Sequence, residues 1–361
     1  MIHALFLLTL IAVYVTVDAI SAQKNKKRNR IIAMAFLLFL FAALRSTEVG
    51  IDVPGYADFY ELLYSYSFKQ ILVAKSGRDA GFYIFMKLLS YISLSPQLML
   101  VVVGGIVAIA FAYFAYHQDG NDLLLFILFI TLRLYPFTLT GLRQAVALSL
   151  CWIAFVKLQQ GKNKTFIALV ALAACSHLSA LSFVFAFLLY KWGKPIIVAL
   201  LSLAIAVADT MTGHTILQYL SSRLMGDRFE DYLDENAFTN FSGGGTFLIY
   251  LVFFALITFA LLVSKKNLDN TQSYKKMFNV TCVTLMLIFL SQSIPVFFRI
   301  SYYYILPFYA LVSRGINAIL SDKRDRFLVY TLIISLLCTQ YVLLTPGAGI
   351  NDYTFFWELS I

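Results

Sequence analysis

Two ionisable side chains lie inside apolar segments, and they are the residues from which we start. Arg143 begins an apolar segment that runs to Lys157, and His177 lies within the next apolar run, at 165–190. An ionisable side chain in the hydrocarbon region costs several kcal/mol unless it faces a partner or a water-filled cavity. The alternatives are an arginine whose head reaches the interface at a helix end and a histidine that is hydrogen-bonded in the core. Because the two residues lie in consecutive segments, we interpret them as functional.

The composition is that of a membrane protein. The chain has 361 residues, of which 60% are hydrophobic and only 13% are charged, whereas a soluble domain holds about 25% charged residues. The net charge of +9 does not indicate nucleic acid, because most Lys and Arg lie in five short clusters between apolar runs, as expected for cytoplasmic loops. We therefore predict one all-α polytopic membrane domain, residues 1–361, with roughly 10–12 transmembrane helices, some of them short or re-entrant. Both termini are expected to be extracytoplasmic, with membrane lipids around the domain.

Two longer polar segments interrupt the apolar runs. They lie at about residues 45–80 and 209–245, and the basic clusters place both on the extracytoplasmic side. The second segment is much longer than an ordinary connection, and loops of that length are usually functional or disordered. It ends in the flexible run Gly243-Gly244-Gly245, so we predict a mobile lid over the site.

Two topologies are open for the middle of the chain. Either 81–94 and 165–190 each cross the membrane once, or 81–94 stays near the surface and 165–190 turns back. The second topology keeps Lys157 and the lysines after it in the cytoplasm, so the positive-inside bias favours it. It predicts a helical hairpin that enters from the cytoplasm, with Ser176 and His177 at its buried tip.

Arginines dominate the basic residues on the outer side. A guanidinium group suits bidentate recognition of phosphate. The alternative is interfacial anchoring, with ion pairs to nearby acids such as Glu48, Asp79 and Asp227. The set that we interpret as anion-binding is Arg45, Arg143, Arg223, Arg228 and Arg299. Tyrosines of the same regions suit stacking on sugar rings, with an interfacial aromatic belt as the alternative.

No motif in the sequence indicates a cofactor. There is no GxxxxGK[ST] loop, no dinucleotide-type GxGxxG and no His, Cys and carboxylate cluster with zinc spacing. We therefore expect neither a nucleotide nor a metal, and no nucleic-acid partner.

Several short motifs, taken in order, resemble the EpsG family of bacterial polysaccharide polymerases. They are Arg45 with Gly50-Ile51-Asp52 and Tyr56, then Gly81-Phe82, then the Arg-Gln-x-x-Ala segment at 143–147, then His177-Leu178-Ser179-Ala180, and finally Arg299 followed by Tyr302, Tyr303 and Tyr304. Asp79 stands near the position where the resemblance leads us to expect a Glu, and we assign it no role. The family is similar in function to O-antigen polymerases of the Wzy type.

The resemblance implies a glycosyltransferase of the bacterial inner (plasma) membrane. It would join undecaprenyl-diphosphate-linked oligosaccharides by inverting transfer, producing an O-antigen of lipopolysaccharide, a capsule or an exopolysaccharide, with a chain-length regulator protein as a partner. Substrate binding is then assigned to the five arginines above together with Tyr56, Gln144 and Tyr303. The proton of the attacking hydroxyl would go to His177, Asp52 or Asp227, since an imidazole or a carboxylate serves as a base at neutral pH.

Two other classes of membrane protein compete with this interpretation. A transporter (flippase) of lipid-linked sugars would also carry buried arginines, but it should show inverted repeats with paired broken helices, and we find no correspondence between the two halves. A membrane O-acyltransferase would use a buried His with an acid near the cytoplasmic face, whereas the arginines point to chemistry outside.

Overall fold

A computed structural model describes residues 2–74, 79–213, 244–263, 271–292, 296–343 and 352–358, together with residues 215, 218, 219, 222, 223, 294 and 350. Over these residues the chain is α-helical and forms no β-strand. Extended pairing there is limited to one isolated bridge, between Arg45 and Phe355. The predicted all-α class is thereby confirmed. Of the predicted hinge Gly243-Gly244-Gly245, Gly243 lies outside the described residues, whereas Gly244 and Gly245 begin a helix instead of a flexible segment. Most of the predicted lid also lies outside the described residues.

The chain divides into two compact units, Met1–Leu181 with Thr331–Ile361, and Ser182–Tyr330. The helices of the first unit are α1 (Ile2–Ile20), α2 (Lys26–Ala43), α3 (Val53–Leu63), α4 (Phe68–Ala74), α5 (Ala80–Ser90), α6 (Gln97–Tyr116), α7 (Asp122–Thr131), α8 (Leu134–Thr140), α9 (Leu142–Gln159) and α10 (Asn163–Ser176). The described helices of the second unit are α11 (Val184–Trp192), α12 (Pro195–Met211), α13 (Gly244–Val263), α14 (Thr271–Leu290) and α15 (Val296–Ile319). Helix α16 (Lys323–Leu343) begins in the second unit and ends in the first.

Five of the described helices, α1, α6, α9, α15 and α16, are long and apolar enough to cross a membrane. Helices α7 and α8 make a sixth candidate if they count as one span, which is bent by 52° at its break. Shorter apolar helices accompany them, α5 and α10 among them. This mixture of long, broken and short apolar helices is that of a multi-pass membrane protein.

Helices α9 and α10 form the scaffold of the region that contains Arg143 and His177. A short turn joins them, Gly161 takes up a positive φ of +75° in it, and the two helices pack along each other, as antiparallel neighbours do. Helix α9 has 18 residues and α10 has 14, about 27 and 21 Å at the standard rise. The N-terminus of α9 and the C-terminus of α10 therefore lie at the same end of the pair.

The segment that precedes α3 is fixed against the start of this scaffold. The Asp52 backbone N–H donates to the Thr140 hydroxyl at 3.1 Å, directly before α9. Gly50 has a φ of +108°, and a Cβ there would lie 3.0 Å from the Leu139 carbonyl oxygen. The positive φ and this close contact both require Gly at position 50. Together with the hydrogen bond from Asp52, the close contact places the N-terminus of α3 beside that of α9.

The C-terminal segment closes the first unit by pairing with the end of α2. The Ser46 N–H donates to the Thr354 carbonyl at 2.9 Å, and the Phe356 N–H donates to the Leu44 carbonyl at 3.0 Å. The Tyr353 hydroxyl donates to the Phe41 carbonyl of α2 at 2.7 Å. Residues that the sequence places on one side of the membrane are thus in direct contact.

The second unit is built around α15. Its tyrosines at 302, 303, 304 and 309 are buried, and the hydroxyls of Tyr250 and Tyr309 lie 3.1 Å apart. The Asn279 amide of α14 donates to the Leu189 and Gly193 carbonyls at 2.9 and 2.8 Å, which ties α14 to the end of α11. An apolar cavity of about 540 Å³ lies among α12, α13 and α14.

Candidate functional site

The carboxylate of Asp79 is the point at which three elements of the first unit meet. Its Oδ2 accepts a hydrogen bond from Arg143 Nη1 at 2.9 Å and lies 3.3 Å from His177 Nδ1. Its Oδ1 accepts the backbone N–H of Leu178 at 3.0 Å. The side chains at the start of α9 and at the end of α10 are therefore joined through one acid that precedes α5.

A close contact between helices brings Asp79 to this position. A Cβ at Gly81, in the first turn of α5, would lie 2.7 Å from the Cys175 carbonyl oxygen near the end of α10. Only glycine allows the two backbones to approach so closely. Asp79 itself has φ 52° and ψ 23°, a left-handed conformation that is uncommon in residues other than glycine but that Asp tolerates.

Arg143 has partners on both sides, and part of its side chain remains uncovered by the protein. Its Nε donates to the Tyr56 hydroxyl at 2.9 Å, and its guanidinium group lies 5.8 Å from the Tyr56 ring centre and 5.9 Å from that of Tyr83. Cation–π attraction is significant at such distances. The Arg143 side chain is still 35% exposed, so an anion can reach a guanidinium group whose position is already fixed.

The charges of the cluster favour an ionised acid beside a neutral phenol. Burial raises the pKa of the Asp79 carboxyl, but the His177 hydrogen bond and charge, the Leu178 N–H and the Arg143 charge outweigh it, and the pKa lies below its usual range. Burial raises the pKa of Tyr56 to about 12 against the opposing charge of Arg143. The Tyr56 hydroxyl therefore keeps its proton at neutral pH while its oxygen accepts the Arg143 Nε–H.

Several residues predicted from the sequence come together here. Arg143 and Tyr56 are in direct contact, and His177 shares Asp79 with Arg143. Asp52 is exposed and lies one helical turn before Tyr56, while Gln144 is buried beside Arg143 along α9. The structure thus brings Arg143, His177 and Tyr56 together and places Asp52 and Gln144 next to them.

Arg45 occupies a different environment, because it is almost completely buried at the end of α2. Its side chain is 2% exposed, and within the described part of the chain its Nε and Nη1 have no hydrogen-bond partner. Burial lowers the pKa of the Arg45 guanidinium to about 10, against the opposing effect of Tyr135 and Tyr353. Its assignment to substrate binding stays a prediction, and a substrate would need a rearrangement to reach it.

The remaining predicted residues belong to the second unit. Arg299 is partly buried in the first turn of α15, and Tyr303 is fully buried, so its ring has no face open to a sugar in this conformation. Arg223 lies over the ring of Tyr219 at 5.5 Å. Asp227 and Arg228 lie outside the described residues. The substrate-binding and catalytic assignments of all these residues stay predictions.

From the sequence, Asp79 is named only as a possible ion-pair partner of the outer arginines, in the alternative to anion binding, and the structure shows this pair with Arg143. The sequence offers one local signal, an acid two residues before a Gly-Phe pair at a helix start, but that signal does not indicate which distant residues the acid contacts. Tyr83, one turn into α5, was also missed. Over the described residues, no three His, Cys, Asp or Glu side chains are grouped so that they could hold a metal ion.

Comparison with protein-family models gives one match, to the EpsG family, over residues 30–355. Searches of curated proteins and of solved structures give no match. The matched range contains every residue of the cluster around Asp79 and nearly the whole chain. The chain therefore belongs to the EpsG family, a family of Wzy-like polysaccharide polymerases.

Proposed function

We propose that this protein joins undecaprenyl-diphosphate-linked oligosaccharide repeat units into a surface polysaccharide by inverting glycosyl transfer. The observation that carries the proposal is the cluster in which a solvent-accessible Arg143 and His177 share the carboxylate of Asp79. It provides a fixed positive charge and a proton acceptor at one place, which are the two groups that this reaction needs.

Arg143 is assigned to the leaving group. As the bond between the anomeric carbon and the diphosphate oxygen breaks, the electron pair and the negative charge go to the lipid diphosphate. A preorganised donor at that position stabilises the transition state more than the ground state. Because Tyr56 and Asp79 already fix the guanidinium group, little reorganisation is needed when the charge develops.

His177 is assigned to the acceptor sugar. The attacking hydroxyl forms the new bond to the anomeric carbon from the side opposite the diphosphate, and its proton passes to the neutral imidazole. Histidine is the side chain that most often acts as a general base in enzymes. Asp52, exposed at the start of α3, is the second candidate for the base, and Asp227 is the third.

The other assignments follow from the same reaction. Arg45, Arg223, Arg228, Arg299, Gln144 and Tyr303 complete the substrate-binding set. The enzyme would act at the outer face of the bacterial inner membrane with both termini outside, and a chain-length regulator would be its protein partner. O-antigen, capsule and exopolysaccharide are the product classes, and the polymerisation needs neither a metal nor a nucleotide because the sugar arrives activated.

One observation favours a second candidate, an O-acyltransferase, since the pair of His177 and Asp79 would also suit acyl transfer to a hydroxyl. Family membership and the presence of Arg143 in the same cluster favour the polymerase. The two functions differ in their products, since loss of an acyltransferase leaves chain length unchanged and removes acyl groups.

The test uses a deletion strain of the host that expresses the wild-type chain, Arg143→Ala or His177→Gln at equal levels in the membrane. We expect long polysaccharide chains on silver-stained gels only from the wild type, with single-repeat product from both variants. Normal chain lengths from Arg143→Ala would remove Arg143 from the mechanism. Loss of every product, single repeats included, from the deletion strain would indicate a transporter instead.

A further inference from the structure

The geometry points to Asp79 as the positioning residue that holds His177 with its proton on Nδ1 and its Nε2 lone pair free to accept the proton of the sugar hydroxyl. The inference deepens the proposed function, because it rests on His177 as the base. It gives a role in the reaction to a residue that the sequence indicates only as a possible ion-pair partner.

The direction of each hydrogen bond follows from the partners of the carboxylate. An ionised carboxylate can only accept hydrogen bonds, and Oδ1 already accepts the Leu178 N–H. Oδ2 accepts from Arg143 Nη1, and it faces His177 Nδ1 at 3.3 Å. The nitrogen that faces Oδ2 must therefore carry the proton. A neutral imidazole has only one N–H, so Nε2 is left as the acceptor.

The same contacts also fix the orientation of the ring. Asp79 binds the His177 ring through one oxygen and the next backbone N–H through the other. His177 itself has an extended backbone, with φ −157° and ψ 115°, directly after α10. Two contacts from one carboxylate, on adjacent residues, limit rotation of the side chain more than either contact would alone.

Asp79 is less accessible than the two side chains that it contacts. The Asp79 side chain is 11% exposed, less than its two side-chain partners, so it lies behind them. Asp79 therefore acts through His177 and Arg143 and is a positioning residue, not a base itself.

The first test reads the tautomer directly by nuclear magnetic resonance of the purified full-length chain in detergent micelles. The chain has four histidines, and the His177 ring nitrogens are assigned by their loss in His177→Gln. At an alkaline pH at which the histidine ring signals no longer change with pH, we expect a protonated Nδ1 and a bare Nε2 in the wild type. Asp79→Asn and Asp79→Ala both remove the charge that selects this form, so a protonated Nε2 should appear in each. The matched control is Asp58→Asn, an exposed acid of α3, which should leave the wild-type pattern.

The second test measures chain length for the same variants in cells. We expect loss of long chains in Asp79→Asn and partial retention in Asp79→Glu, which keeps the charge. A protonated Nε2 in the wild type, or a wild-type tautomer in both Asp79→Asn and Asp79→Ala, would overturn the inference even if chains were lost, because Asp79 would then act structurally. A changed tautomer with long chains retained would support the inference and instead refute His177 as the base.

Discussion

Gly81 is the position where a single added methyl group should separate the parts of the site. In Gly81→Ala the new Cβ would lie 2.7 Å from the Cys175 carbonyl oxygen and 2.9 Å from the carbonyl carbon and Cβ of the same residue. Real Cβ atoms essentially never come within 3.0 Å of a heavy atom from a distant part of the chain. Since the nearest atom belongs to the backbone, a side-chain rotation at Cys175 cannot relieve the clash.

The size of the effect follows from the distances. Restoring an ordinary contact of 3.4 Å requires a movement of 3.4 − 2.7 = 0.7 Å between α5 and the end of α10. A shift of that size would lengthen the distance from His177 Nδ1 to Asp79 Oδ2 from 3.3 Å to at most about 4.0 Å, and a hydrogen bond that is already long is lost with a shift of a few tenths of an ångström. Overpacking of this kind costs about 1–3 kcal/mol of stability. We therefore expect a measurable destabilisation together with loss of long chains.

The matched control is Gly55→Ala on α3, where an added Cβ meets nothing within 4 Å. Alanine in a helix is more favourable than glycine by roughly 0.5–1 kcal/mol, so this variant should be as stable as the wild type or slightly more stable. The assays are thermal unfolding of the purified chain in detergent and the chain length of surface polysaccharide. The double variant Gly81→Ala, Cys175→Ala should not recover. Wild-type unfolding temperature and chain lengths in Gly81→Ala would refute this account of how Asp79 is positioned.

Three further predictions concern charge, topology and pH. Arg143→Lys should lower the rate of polymer accumulation by about 100-fold, because an ammonium group cannot bond Tyr56 and Asp79 together as the planar fork does; a near-normal rate would contradict this. In a Cys-free background, Asn163→Cys should resist a membrane-impermeant thiol reagent in intact cells while Ser242→Cys reacts, and labelling at 163 would refute the predicted hairpin. The pKa of Asp79 is lowered in the folded chain, so its stabilisation is present above the usual carboxyl pKa and is lost as pH falls through the lowered value. The difference in unfolding temperature between wild type and Asp79→Asn should thus be full at neutral pH and shrink below about pH 4, and a difference that persists in acid would argue against the ion pair.

The proximity of Arg143 and His177 could be predicted from sequence because it depends on local features. Two consecutive apolar helices with a short turn between them pack antiparallel, and the turn around Gly161 lies about midway between the two residues. Arg143 then lies at the start of α9, and His177 directly follows α10. No long-range information is needed to place them at the same end.

Asp79 could not be predicted in the same way, because its contacts are far apart in the sequence. It lies 64 residues before Arg143 and 98 before His177, and the approach depends on the backbone contact between Gly81 and Cys175. The sequence also does not show which tyrosines contact the site and which are buried in the core. Tyr56 contacts Arg143, whereas Tyr303 is buried in the core of the second unit, although the sequence analysis assigned both to the substrate.

The exposed fractions of Asp79, His177 and Arg143 show how deeply each side chain lies in the site, which the distances between them do not show. Asp79 is 11% exposed, His177 22% and Arg143 35%, so the acid lies deepest and the guanidinium group outermost. In the proposed reaction, an anionic ligand would therefore meet Arg143 first, and a hydroxyl beside it would reach the imidazole, while the carboxylate that would repel the anion stays behind both. A buried carboxylate between two such partners is retained only because they compensate the cost of its burial. The arrangement thus explains why an acid can stand within hydrogen-bonding distance of an anion site, and it is consistent with Asp79 positioning the two groups that face the substrate.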